Sequence, residues 1–478
     1  MTSVEARPAP SPTTPAPASS SQRYRAVWRW HFYAGLFVAP VLLVLAVTGA
    51  VYLFKEPFEE WRYQDVRTLA QPVAAPRPLS EQIAAARDAR PGAAVMSVVP
   101  PSSPDRTTRV ILQGADTGPF AQGVSVYVDP GTARVVGQID DAATFMRMVR
   151  TIHGELMSGV AGDRVVEIAA CWALILVASG TYLWWTGRRT RARASRSPRG
   201  RLRRLHVRVG VGSGAVVVFL VVSGLPWSGV WGDGLQRLQE RTGSTAPNAA
   251  DFPHTSTPPL SGDLSANPDA KVPWAAERLP VPESGGHAGH AGHGGAAQAG
   301  ALPVEAALAA ARPAVASCGE CEVKVLLPDG PTGVYTVVAE PRRDPSAART
   351  LHVDQYSGKV LTSYGWAEYG TMAKLVEQGI ALHEGRRYGP ANLAVMLAAC
   401  LSLITLVVTG GWMWWKRRPR GRAGAPARPA DRRTAYGVIA IMAVLGLVFP
   451  LAGATMVAVL LLDRLVLRRV PAVARFVG

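Results

Sequence analysis

Acidic residues and cysteines are scarce in this 478-residue chain, where 34 Asp and Glu stand against 51 Lys and Arg and there are four Cys. Four thiols are too few for a disulfide scaffold. Charged residues make up 18%, below the roughly 25% usual for soluble domains, while 48% of the residues are hydrophobic. No nucleotide-binding loop or flavin fingerprint is present, and no Ser/His/Asp triad can be argued from spacing. The surplus of positive charge, +17, would suit a nucleic acid. The arginines cluster beside apolar runs, however, where membrane topology accounts for them, so no nucleic-acid partner is expected.

Several apolar runs exceed the ~18 residues that mark a membrane-spanning helix, so the chain reads as a mainly α, polytopic membrane protein in a lipid bilayer. Residues 1–22 form a Pro/Ser/Thr/Ala tail expected to be disordered. A first span falls within 23–54; a signal peptide is the other reading, but the run is long for one and no small-residue cleavage site closes it. Segment 55–152 follows, then 153–186 with the second span, a basic loop at 187–204 and a third span at 205–228. Segment 229–382 leads to 383–415 with the fourth span, a second basic loop at 416–434, and a fifth span with the tail at 435–478. Pro450 stands near the middle of the fifth span, where it predicts a kink.

Charge sets the expected orientation. Nine arginines lie between Gly187 and Arg204, and eight basic residues between Lys416 and Arg433. Both loops belong in the cytoplasm by the positive-inside rule. The amino terminus is then inside, with 55–162 and 229–390 outside the inner membrane. The fifth span conflicts with this scheme, because Arg464, Arg468 and Arg469 follow its outer end. A re-entrant or bent hairpin would resolve the conflict.

Four histidines keep register with the spans. His31 precedes Thr48-Gly49 by 17 residues, and His206 precedes Ser223-Gly224 by 17. His153 precedes Ser179-Gly180 by 26 and Trp184-Trp185 by 31, and His383 repeats both intervals to Thr409-Gly410 and Trp414-Trp415. Shared intervals of this kind point to an internal duplication. The segments between the spans repeat as well. Short helices are expected after Pro78 and Pro303, each with an acid in its first turn where the helix dipole favours it. A strand, polar turn and strand follow around Asp129 and again around Asp354, both offsets being 225 residues. The expected architecture is a duplicated bundle of four spans, a fifth C-terminal span and two small α+β extracytoplasmic modules.

These features together resemble the PepSY-associated transmembrane family over roughly residues 23–465: a histidine opening a span, a strand-turn-strand around Val-Asp, and a later histidine ahead of a [Ser/Thr]-Gly…Trp-Trp span. Some members are described as iron-regulated inner-membrane proteins and siderophore reductases with two haems. The resemblance implies two PepSY modules outside the membrane and electron transfer towards a ferric siderophore or other ferric chelate.

The residues carry a reading of their own. A single histidine at a membrane edge commonly snorkels to the interface. As a set, however, His31 and His206 fall at the inner side and His153 and His383 at the outer side, so each side offers two imidazoles for the axial positions of a b-type haem. Those four histidines are the expected iron ligands of two haems, with an unidentified electron donor. Zinc would call for thiolates or carboxylates that do not accompany them. Seventeen residues of helix rise about 26 Å, which carries Thr48-Gly49 and Ser223-Gly224 to the outer level; Ser179-Gly180 and Thr409-Gly410 belong at the inner one. Small residues there would leave room for a macrocycle or serve ordinary helix packing. Gly35 and Gly210 share a helix face with His31 and His206. His153 and His383 are too far from their tryptophans for unbroken spans, so each is expected on a short segment folded over the bundle mouth.

Other motifs are weaker. His287, His290 and His293 lie in a Gly/Ala-rich linker that could gather metal. Cys318 and Cys321 are expected to form a local disulfide, with a thioredoxin-like exchange site as the alternative. Cys171 and Cys400 read as inert core residues, the Trp pairs as an interfacial belt. Arg23, Arg25, Arg203 and Arg204 could pair with haem propionates or serve topology alone. Two rival functions remain. One is a non-enzymatic PepSY module that binds or regulates a partner. The other is a permease component for a metal, against which stands the expectation that no intramembrane acid lines a path.

Overall fold

In a computed structural model, the described residues are 19–114, 123–187, 198–247, 252–257, 300–419, 424, 443–467 and 469–470. Most of the expected tail, most of the second basic loop, more than half of the first, and the His287–His293 stretch lie outside them. The chain divides into two compact units. One, the span unit, comprises residues 1–43, 164–221 and 402–478; the other, the sheet unit, comprises 44–163 and 222–401.

Among the described residues, four helices are long and apolar enough to cross a membrane, at Gln22–Tyr52, Gly159–Thr186, Gly200–Trp227 and Pro390–Arg417. They correspond to α1 (Ser19–Tyr52), α6 (Gly159–Thr186), α7 (Pro198–Gly224) and α11 (Pro390–Arg417). The expected fifth span is not one such helix. Residues 443–448 are helical, the helix breaks at Phe449, and α12 (Pro450–Leu462) restarts on the proline. Pro450 has no N–H to continue the earlier turn and is favoured in a first turn. Thirteen residues of α12 rise only about 20 Å. In the span unit, Ala34, Val38 and Leu42 of α1 pack with Ala169, Trp172 and Ala173 of α6 and Met456 of α12. Trp172 donates its indole N–H to Thr455 (3.0 Å) and stacks on Trp30, tying α12 into this core. One acid does lie within a span. Glu167 of α6 is buried, and its carboxylate lies 3.8 Å from Arg164 one turn earlier, which supplies the countercharge a carboxylate there requires.

The sheet unit holds the strands β1 (Val95–Val99), β2 (Thr108–Leu112), β3 (Val124–Val128), β4 (Val135–Asp140), β5 (Cys321–Leu326), β6 (Val334–Pro341), β7 (Arg349–Asp354) and β8 (Val360–Gly365). Both expected strand-turn-strands, β3–β4 and β7–β8, are present, as are both helices, α4 (Leu79–Ala89) and α9 (Val304–Ala316). Leu79, Ile83 and Ala86 of α4 and Val304, Ala307 and Ala311 of α9 recur at helical spacing and bury one stripe of each helix against alternate valines of the strands. The two copies do not stand as separate sheets. All eight strands form one antiparallel sheet in the order β4-β3-β2-β1-β5-β6-β7-β8, joined where Val98 of β1 pairs with Val325 of β5. Alone, each copy would leave an apolar inner strand with an unpaired edge, an arrangement prone to misassociation. The junction is reinforced by an Arg109–Glu322 ion pair and by Glu305 of α9 accepting from the Ser80 N–H of α4 (2.8 Å).

Candidate functional site

Each of the four expected histidines stands where its helix presents it to a [Ser/Thr]-Gly pair of another helix, inside its own unit. In the span unit, His31 Nδ1 lies 2.8 Å from the Ser179 hydroxyl and His206 Nδ1 lies 2.9 Å from that of Thr409. In the sheet unit, His153 Nδ1 lies 3.0 Å from Thr48 and His383 Nδ1 lies 2.9 Å from Ser223. His31 and His206 sit on α1 and α7; His153 and His383 sit near the ends of the separate short helices α5 (Phe145–Glu155) and α10 (Thr371–His383). The breaks that free these two helices are built from left-handed residues. Leu156 and Met157 have φ of 49° and 56° before α6, and Gly385 and Gly389 have φ of 74° and 59° before α11.

The proton on each ring can be located from the hydroxyl's own bonds. Ser179 donates to Leu176 O (3.2 Å), Thr48 to Val44 O (2.7 Å) and Thr409 to Thr405 O (2.6 Å), all within a turn of their own helices. A hydroxyl has one proton to give, so its oxygen accepts from Nδ1–H of the facing histidine. The tautomer of these three is thereby set, and Nε2 of each keeps its lone pair. His383 Nδ1 likewise faces the Ser223 hydroxyl at 2.9 Å, with the Trp227 ring edge-on at 5.9 Å. Burial also pushes the His153 imidazole below the ordinary histidine value, which favours the neutral ring.

The glycines complete each frame. A Cβ on Gly180 would stand 3.2 Å from His31 Cε1, one on Gly49 3.2 Å from His153 Cε1, one on Gly224 3.4 Å from His383 Cε1, and one on Gly410 3.5 Å from His206 Cε1. The hydroxyl fixes the ring's rotation and the glycine lets the ring approach the helix backbone. Sequence reasoning placed these pairs beside the histidines at matching depth but took them as spacers; the hydroxyl-to-Nδ1 contact, recurring in all four, is the role it missed. Gly35 and Gly210 play a different part, since their Cβ positions meet only methyls of Leu176 (3.8 Å) and Leu406 (3.4 Å). They serve helix packing.

Each frame closes within one half of the chain: His31 and His153 use partners on α6 and α1, His206 and His383 partners on α11 and α7. The two histidines of each unit therefore come from different halves. Arg417 stacks over Trp28 and Phe32, the residues flanking His31 on α1, at 5.1 and 5.9 Å. Sequence reasoning looked for cations on the near side of His31 and did not single out this one. Cys400 is free and buried, with its sulfur 3.7 Å from the Gly49 Cβ position; Cys171 is also free and buried. Cys318 and Cys321 form the expected disulfide. Among the described residues no group of three or more His, Cys, Asp or Glu could hold a metal ion.

No curated protein matches the chain. Residues 28–417, well over half of its length, match the family described as PepSY-associated TM region, and with its four apolar helices the chain is a multi-pass membrane protein that belongs to that family.

Proposed function

We propose that the protein is a haem-containing membrane electron-transfer protein, with His31 and His206 holding one b-type haem and His153 and His383 a second. Electrons move outward, and the acceptor is a ferric siderophore or another ferric chelate in iron uptake. The observation that carries this reading is the fourfold frame: Nδ1–H anchored to a hydroxyl, glycine against Cε1, Nε2 left as the lone-pair nitrogen. Metal-bound histidines show this same outer hydrogen bond, which orients the ring and raises its basicity. Ordinary helix packing requires small residues but not a hydroxyl aimed at the same ring nitrogen four times. The donor set also suits haem chemically, because two neutral imidazoles per site match bis-histidine ligation.

When bound, haem supplies one-electron transfer. The chain's residues hold and tune it. The hydroxyls fix ring planes, the burial of His153 keeps an imidazole neutral, and the apolar helices exclude water. Localisation in the inner membrane, with the basic loops cytoplasmic and residues 55–162 and 229–390 outside, follows from the positive-inside rule. The donor is a separate protein, a quinol or a diffusible reductant.

Purified membranes containing the protein should show b-type absorption that changes on dithionite reduction. Replacing His31 or His206 by Ala should remove one haem equivalent and leave the other. A fully expressed but colourless protein would refute the proposal and favour a non-enzymatic binding or regulatory module.

A further inference from the structure

A second cluster of metal-binding side chains lies away from the spans, on the face of the sheet opposite α4 and α9. Leu351 and Val353 of β7 point into the core beneath those helices, so His352 between them points to the other face. There it is 2% exposed, paired across the ladders with Thr336 of β6 and Thr362 of β7's other neighbour. Its Nδ1 lies 3.0 Å from the Thr336 hydroxyl, and its Nε2 faces the phenol of the buried Tyr364 at 3.5 Å, which is long for a hydrogen bond.

Residues 252–257 cross over this patch. The Ser256 N–H donates to Thr332 O (2.8 Å), the Ser256 hydroxyl accepts from the Gln355 N–H (2.9 Å), and the Thr257 N–H donates to Asp354 Oδ2 (3.1 Å). Phe252 stacks on Tyr364 at 4.2 Å with planes 8° apart. These bonds hold His254 over His352, with ring centroids 6.5 Å apart. His254 Nδ1 lies 2.6 Å from the Phe252 carbonyl, which can only accept; Nδ1 carries the proton and Nε2 has the lone pair.

We propose that His254, His352 and Tyr364 form a site for a divalent transition-metal ion of the copper or zinc type, bound through the two Nε2 atoms and the phenol oxygen. Imidazole is a favoured ligand for both ions. Two imidazoles sharing one ion place their centroids about 5–6.5 Å apart. The observed 6.5 Å is at the upper end of that range. Each ring has its Nδ1 held by an oxygen, the outer bond that metal-ligating histidines use. A buried histidine serving only the fold would not need a second imidazole strapped over it. On binding, the phenol proton leaves to solvent and the ion's remaining positions stay open to water. The site does not depend on the haem reading.

The test uses the full-length purified protein, with His287, His290 and His293 replaced by Ala so that the linker cannot compete. Cu2+ alone, titrated against a chromophoric chelator, should bind at one site whose electron paramagnetic resonance shows coupling to two imidazole nitrogens. Adding H254A, a surface change that should leave the fold intact, should weaken that binding at least about tenfold and remove one nitrogen. Y364F should retain both nitrogens and weaken binding less. An unchanged titration and spectrum in H254A, or no tight Cu2+ in the starting variant, would overturn the proposal.

Discussion

Gly180→Ala tests the imidazole frame at its tightest point. The added methyl would stand 3.2 Å from His31 Cε1, against the roughly 3.5–4.0 Å of a relaxed carbon contact. The ring must then retreat by about 0.3–0.8 Å. The Ser179 contact to Nδ1, now 2.8 Å, would stretch towards about 3.2 Å, the far limit of a good hydrogen bond. Overpacking of this kind costs about 1–3 kcal/mol, while exchanging Gly for Ala in a helix interior returns about 0.5–1 kcal/mol. The variant should therefore be less stable by about 1 kcal/mol. Gly35→Ala is the control, because its methyl meets only a Leu176 methyl at 3.8 Å and should keep the helix gain without the clash. Thermal unfolding in detergent should place the two variants on opposite sides of wild type. The reduced-minus-oxidised spectrum should shift in G180A alone. If G180A proves as stable as G35A and spectrally silent, the glycine does not frame His31 and the reasoning fails.

Further outcomes follow from the same geometry. Thr48→Val keeps the shape but removes the acceptor for His153 Nδ1, so about 10- to 100-fold weaker haem retention is expected at that site alone; equal loss at both would contradict two separate frames. Glu305→Ala withdraws the carboxylate that caps Ser80 in the other copy and should cost about 1 kcal/mol in denaturant unfolding, whereas no change would mean that the α4–α9 contact contributes nothing. Asp141 receives a 2.8 Å bond from Ser125, and burial raises its carboxyl above the usual value, with Ser125 and Arg109 pulling the other way. A raised folded-state value contributes stability that is complete below the unfolded value and lost as pH rises through the folded one. Asp141→Asn should thus stabilise the protein at pH 7, with the gain shrinking as pH falls into the carboxylate range; a gain that grew on acidification would reverse the sign assigned here.

The sequence by itself determined the four apolar spans and the fixed intervals that keep four histidines in register with them, because hydrophobic runs and intervals are local properties of the chain. It also marked the [Ser/Thr]-Gly pairs, and helix rise placed them at the right depth. Only the tertiary structure decided that each pair's hydroxyl meets a histidine's Nδ1, since the partners lie 105 to 203 residues apart and meet through helix packing. The same holds for the β1–β5 junction, where two expected modules become one sheet, because which edges pair depends on how two distant copies meet rather than on either copy's pattern. His352 reads locally as one more residue of a β-strand. It became a candidate ligand when a strap from 95 residues or more earlier laid His254 across it, a juxtaposition that no periodicity encodes.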